Sequence, residues 1–331
     1  MAEELRALPG VCVEEIRHRM VSGEISGSVA ALAGLRSADD AFLEVARFEG
    51  MDRARVALAL LAEQAAAVDL RPALSLLGAL RPLPPRPALS LSASFVGRRN
   101  YKTDELKQTL ARSIALPHGL AVESDDRQAP LHLRLVLEHG HARLGLRLTR
   151  EALHERGWKL AHRPGSLKPS VAAALWRLAG LVPGARALDV CCGAGTLLAE
   201  AAAAGARALG GDCDRDALAA AAENLRALGT AARLVRWDAR ALPLPSACVD
   251  VAASNLPWGR QVGSDAPLEA LYAGAAFELA RVLVVGGRAV LLTGAPDRFA
   301  PGPLRLEASR EIGLSGQRPS VLVLSRPAQA A

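Results

Sequence analysis

The chain has 331 residues, half of them hydrophobic and 22% charged, which is enough to bury more than one core. No apolar run is long enough to span a bilayer, and the five cysteines, Cys12, Cys191, Cys192, Cys213 and Cys248, show neither C-x-x-C spacing nor a companion His pair, which argues against a membrane chain and a zinc site. The net charge of +6 and a pI near 9.4 suit a polyanionic partner without demanding one.

The opening MAEELRALPG is acidic and has no apolar centre, so we expect no export signal, a cytoplasmic location and reduced thiols. Residues 14–34 carry short strand and helix pieces. FLEVARF at 42–48 alternates and predicts a strand, and ARVALALLAEQAAAV predicts a helix over 52–68. Prolines make 80–87 an extended turn. ALSLSASF at 88–95 is a strand, followed by a basic loop and a helix capped by Thr103 or Asp104. Residues 120–123 are extended. The stretch from Leu131 alternates on both sides of Gly140, which predicts a hairpin. Together these pieces predict a small α+β domain. His118, His132, His139 and His141 are scattered and read as surface or hairpin residues. Arg98, Arg99, Tyr101, Lys102 and Lys107 cluster at a loop and helix start, where the cations could hold phosphates and Tyr101 could stack on a base; a solvated helix face fits equally well. Residues 151–170 are basic and rich in breakers, and read as a linker crossing the surface.

A helix over 171–180 precedes the most informative stretch. Residues 185–224, ARALDVCCGAGTLLAEAAAAGARALGGDCDRDALAAAAEN, break into strand, glycine loop, helix, strand, acidic turn and helix. In an open α/β sheet ligands bind where the strands end, so Asp189 and Asp212 should face one crevice. A dinucleotide loop needs a small third position, and Leu198 stands there. The remaining pattern, an acid four residues before Gly193-x-Gly195, repels a pyrophosphate and favours a cationic ligand. S-adenosylmethionine carries an ammonium and a sulfonium and no phosphate, and Asp212 could accept bonds from its ribose hydroxyls. RLVRW at 233–237 predicts the next strand, with Asp238 at its end placed to meet an adenine amino group.

DVAAS at 250–254 is a fourth strand, ending in Asn255-Leu256-Pro257-Trp258. An exocyclic amine has two N–H donors. The Asn255 side-chain carbonyl and the Leu256 carbonyl, stiffened by Pro257, could accept both, and Trp258 could stack on an extruded base. Methyl transfer would then depend mainly on positioning. A pyrimidine-carbon methylase would need a cysteine nucleophile beside the proline, where Trp258 stands. A helix over 268–285, a strand over 288–292 and a strand pair at 304–306 and 320–324 follow, with a disordered end from Pro327.

With LTREALHERGW, SLKPSVAAALWRLAG, LDVCCGAGT, GGDCDRDAL, AAENLRALG and SNLPWGRQVG in place, the chain resembles THUMP-domain class I RNA methyltransferases, in particular those that methylate guanine N2 in tRNA. Leu256 departs from the first proline of many members, and Cys191-Cys192 from the usual residues before the glycines. The resemblance implies an α/β fold. A Rossmann-like S-adenosylmethionine methyltransferase domain (170–331) is preceded by a ferredoxin-like segment (1–50), a THUMP domain (51–157) and a linker (158–169). It implies Asp189, Cys191, Gly193, Gly195, Thr196, Asp212, Cys213, Asp238 and Asn255 around the donor, and Asn255, Leu256, Pro257 and Trp258 on the target base. It further implies tRNA as partner, with Arg98, Arg99, Tyr101, Lys102 and Lys107 in the grip, a monomer, and neither a metal nor a membrane. The rivals are a ribosomal-RNA guanine-N2 or N6-adenine methylase, an RNA-binding module with an inactive methylase half, and a NAD-linked oxidoreductase, against which Leu198 and Trp258 speak.

Overall fold

The chain divides into two separately packed units, Met1–Leu153 and His154–Ala331. The computed structural model describes residues 1–17, 19–125, 129–230, 232–259 and 268–328, and the strands and bonds below are formed among these residues. Residues 260–267, of which 260–263 end the SNLPWGRQVG motif, and 329–331, in the tail expected to be disordered, lie outside them. Among the described residues no helix is long and apolar enough to cross a membrane.

The N-terminal unit begins with α1 (Ala2–Arg6) and the antiparallel pair β1 (Val11–Ile16) and β2 (Val21–Ile25). It continues through β3 (Phe42–Met51), α2 (Val56–Ala66), α3 (Arg71–Leu80), β4 (Leu89–Phe95), α4 (Thr103–Leu110), β5 (Val122–Glu123), β6 (Leu131–Glu138) and β7 (Gly140–Arg147). The last five strands form one sheet in the order β3-β7-β6-β4-β5. The expected hairpin is present, with Glu138 opposite His141 and positive φ at His139 and Gly140. Leu131, Leu133, Leu135 and Leu137 turn one face of β6 into the core, each at most 1% exposed.

Three expectations need correction here. β3 runs unbroken to Met51 and pairs with β7 as far as Gly140, so a boundary at residue 50 would cut a strand. That strand also delays α2 to Val56. Helix α3 was not foreseen; its Pro72 lies in the first turn, where it removes only a donor that no helix bond needs. Finally, Thr103 is the first residue of α4, and Lys102 takes the capping position.

The C-terminal unit contains α5 (Pro169–Ala179), β8 (Arg186–Asp189), α6 (Thr196–Ala203), β9 (Arg207–Asp212), α7 (Arg215–Leu228), β10 (Arg233–Arg236), β11 (Val249–Asn255), α8 (Leu268–Val282), β12 (Leu283–Thr293), β13 (Arg305–Glu311) and β14 (Ser320–Ser325). These build a seven-stranded sheet in the order β10-β9-β8-β11-β12-β14-β13. The first five strands run parallel; β14 is antiparallel to β12, and β13 to β14. Helix α8 is shorter than expected because Leu283 already pairs with Val249, a bulge then shifting the register to Arg288 opposite Val251. The strand order reverses between β8 and β11, which puts the crevice of this Rossmann-like sheet between the ends of those two strands.

Residues 154–168 are not a surface linker. Trp158 and Leu167 are 7% and 5% exposed and join the core of the C-terminal unit. Arg156 Nε lies 3.1 Å from Glu200 Oε1, with both side chains largely buried. The Lys159 ammonium donates to the Leu167 carbonyl, and Arg163 pairs with Asp214. Burial lowers the Lys159 pKa, with Glu200 opposing that effect. The basic residues that made the segment look solvated are largely spent inside it.

Candidate functional site

The end of β8 and the loop after it are built around carboxylates. The Asp189 side chain is 1% exposed and accepts the Ser254 hydroxyl at 2.7 Å and the Cys191 N–H at 3.2 Å. Burial pushes its pKa up to about 7, with the Asp212 charge adding to the rise and the two bonds opposing it. Asp189 therefore braces the glycine loop from below, where the family resemblance placed it against the donor. Asp212, half-buried at the end of β9, accepts the Gly193 N–H at 2.9 Å and the Asp214 N–H at 3.0 Å. The two acids thus hold one loop from adjacent strands.

Gly193 and Gly195 adopt φ of 52° and 75°, and a Cβ on Gly195 would lie 3.0 Å from that of Ala221. The loop delivers Thr196 to the first turn of α6, where its hydroxyl is buried with no partner among the described residues. The Cys213 side chain also bonds the Asp212 carboxylate, which still keeps part of its acceptor capacity. Half-buried Asp238 is ion-paired to Arg240 at 2.6 Å, which keeps it ionised. Carboxylates, an unspent hydroxyl and closely approaching main chain fit an amino- and hydroxyl-bearing sulfonium donor and do not fit a pyrophosphate. Burial raises the thiol pKa values of Cys191, Cys192 and Cys213, so they remain protonated. The Cys213 carbonyl is taken by Arg236 Nε. No group of three His, Cys, Asp or Glu side chains among the described residues is placed to hold a metal.

Beside this loop β11 ends in the Asn255–Trp258 turn. Trp258 Nε1 donates to Asn255 Oδ1 at 3.2 Å, and Asn255 Nδ2 donates to the Gly165 carbonyl at 3.1 Å. An indole N–H can only donate, so the amide orientation is fixed, and Oδ1 keeps a second lone pair. Leu256 is buried and its N–H is held by the Leu292 carbonyl; among the described residues nothing donates to its own carbonyl. The Pro257 carbonyl accepts the Tyr272 hydroxyl at 2.6 Å, and that hydroxyl lies 2.7 Å from Thr293 Oγ1. Because a carbonyl only accepts, Tyr272 donates to it and Thr293 donates to Tyr272. The Trp258 ring is half-buried and packs on Gly294, where a Cβ would come within 2.9 Å of it.

Sequence reasoning missed four supporting residues: Ser254, Tyr272, Thr293 and Asn224. Asn224 is fully buried on α7; its Oδ1 accepts the N–H groups of Leu160 and Ala161 at 2.8 Å, and its Nδ2 donates to the Ala161 and Ala194 carbonyls. A signal was available, since Asn224 falls on the apolar face of α7 with Ala217, Ala221 and Leu225. Tyr272 and Thr293 carry no such mark.

The basic cluster of the N-terminal unit is only partly exposed. Tyr101 is 3% exposed, donates to the Asp52 carbonyl at 2.8 Å and receives Arg99 Nη1 at 3.1 Å. Arg99 also holds the Met51 carbonyl at 2.6 Å and lies over the Phe95 and Tyr101 rings. Tyr101 is therefore not available to stack on a base, and Arg99 braces the turn after β3. Arg98 and Lys102 are exposed, and Lys107 pairs with Asp104 at 2.7 Å. His132, in the first strand of the hairpin, is buried between the Ser90 and Ser92 hydroxyls, at 2.7 and 2.9 Å.

Residues 156–301 match the family model described as RMKL-like, methyltransferase domain. The chain is 32% identical over 255 residues to the tRNA (guanine(6)-N2)-methyltransferase of Thermus thermophilus, covering 73% of this chain and 75% of that one. Among solved structures it is similar to TrmN from Thermus thermophilus, with a TM-score of 0.76, 28% identity, and coverage of 98% of this chain and 94% of that one. It also shares the fold of SMU.472, a putative methyltransferase complexed with SAH, at a TM-score of 0.75 and 17% identity over 100% of this chain and 95% of that one.

Proposed function

This chain belongs to the S-adenosylmethionine-dependent RNA methyltransferases with an RMKL-like methyltransferase domain, and from that premise we propose that it methylates the exocyclic N2 amine of a guanosine in tRNA. The observation that carries the reading is the fixed turn at the end of β11, beside the carboxylate-braced loop, where Asn255 Oδ1 keeps a lone pair and nothing among the described residues donates to the Leu256 carbonyl. The donor supplies a methyl group on a sulfonium, an electrophile that needs no acid or base to activate it. Asp212 would hold its ribose, Gly193, Gly195 and Thr196 the parts near the loop, and Asp238 its adenine. Asn255 and Leu256 would aim the amine nitrogen by accepting its two hydrogens, one of which departs to water once the nitrogen has reacted. Trp258 stands beside Pro257 where a pyrimidine-carbon methylase would need its cysteine nucleophile, which speaks against carbon methylation. In the N-terminal unit, read as THUMP-type, exposed Arg98 and Lys102 would contact RNA phosphates, with Lys107 beside them.

The test is incubation of the purified chain with labelled donor and unmodified bulk tRNA, followed by nucleoside analysis. Label in N2-methylguanosine is the expected result. Label in N6-methyladenosine would assign the site to the rival base.

A further inference from the structure

Next to the target turn lies a cavity of about 260 Å³, lined by Trp258, Gly294, Gly316, Gln317, Arg318 and Pro319. That is just under the ~300 Å³ at which clefts for drug-sized ligands begin, room for roughly one nucleobase. Trp258 connects the cavity to the turn, since the same indole bonds Asn255. The opposite rim is the connection between β13 and β14. There Leu314 and Gln317 exchange two backbone bonds of 2.9 Å around Ser315 and Gly316, whose φ values are 49° and 80°. Positive φ at both central residues is the tight hairpin turn that matches strand twist, so the rim is a stiff platform. Arg318 is the charged residue of the lining. Its side chain is 80% exposed and pairs with Glu311 at 3.1 Å, an exposed pair that water and a ligand can readily displace.

Asn255 and Leu256 offer acceptors, and acceptors alone do not distinguish N2 of guanine from N6 of adenine. The far edge of the purine does: guanine held by N2 presents the acceptors O6 and N7 there, whereas adenine held by N6 presents only N3 beside a C–H. A guanidinium has five donors and no acceptor. Resting on the guanine-N2 reading above, we propose that Arg318 is the base-specificity residue. It donates to O6 and N7 of the extruded guanine while Asn255 and Leu256 hold its N2 amine. Adenine gripped by its N6 amine would offer the guanidinium no such pair of acceptors.

The experiment compares tRNA transcripts made with guanosine or with 7-deazaguanosine, which lacks the N7 acceptor, against the wild type, Arg318→Ala and Arg318→Lys. The readout is kcat/KM for N2-methylguanosine formation, with donor affinity measured by calorimetry. On ordinary transcripts Arg318→Ala should lower kcat/KM about 5- to 150-fold, the range of one bidentate base contact, with donor affinity unchanged. Arg318→Lys should recover only part of the loss. The 7-deaza substitution should penalise the wild type but add nothing to Arg318→Ala, a dependence that a merely structural arginine would not produce. An unchanged kcat/KM in Arg318→Ala, or an equal 7-deaza penalty in both proteins, overturns the inference alone. Absence of N2-methylguanosine with the wild type would overturn the target assignment, and this inference with it.

Discussion

Both units bury polar side chains, but they put them to different use. In the N-terminal unit these groups close on neighbouring main chain and on one another: Tyr101 and Arg99 on the carbonyls after β3, His132 between two serines, and Arg147 on Asp40 at 2.8 Å. They are distributed over the sheet and hold it together. In the C-terminal unit Asp189, Ser254 and Thr293 at the carboxyl ends of neighbouring parallel strands gather with Tyr272 near the start of α8, and each bonds a segment that approaches the crevice. Burial of a polar group therefore signals a site here only where several such groups converge on a loop or turn.

That contrast can be broken at four positions. The largest effect is expected for Asn255→Ala, which removes an acceptor and a tether together. Turnover should fall about 100-fold, as for a misplaced reactant, with donor affinity retained, and an undiminished rate would take Asn255 out of the site. Tyr272→Phe leaves the Pro257 carbonyl without its donor. We expect about a tenfold loss of turnover and about 1–3 kcal/mol of stability, measured by denaturant titration. A stability loss with full activity would make Tyr272 a staple of the N-terminal kind.

Asp189→Asn tests the buried carboxyl through pH. The exposed group titrates at 3.8 and the folded one at about 7. Between those values the unfolded chain has released a proton that the folded protein retains, so this group makes stability fall as pH rises through that window and level off above it. The asparagine variant should lose that slope, and melting curves from pH 4 to 8 that run parallel for both proteins would remove Asp189 as its source. The smallest effect is expected for Tyr101→Phe: about 1 kcal/mol of stability, with donor affinity and turnover intact. A loss of RNA affinity without a loss of stability would return Tyr101 to the interface.

The sheet of the C-terminal unit was legible because its strands are short apolar runs ended by Asp189, Asp212 and Asn255, and its helices are stopped by Gly180 and Gly229 at positive φ. The four residues of the turn were legible as well, since their types alone specify two acceptors and a ring. What holds them was not. Tyr272 lies in a helix 15 residues beyond Pro257, and Thr293 at the end of a later strand. Only the fold brings them together, and nothing in their local sequence differs from an ordinary core. Tyr101 failed in the opposite direction: among basic loop residues it looks like a stacking platform, and its burial follows from packing with Phe95 at 6.1 Å, a contact across the loop.

Both ends of the Asn255 amide are engaged by the chain's own atoms, the oxygen by an indole and the nitrogen by the Gly165 carbonyl. The rotational freedom of that side chain has therefore been given up during folding, and an arriving nucleotide need not freeze it. If Asn255 grips the target base as proposed, affinity that would otherwise go to ordering the grip would be left to extract the base from its stack.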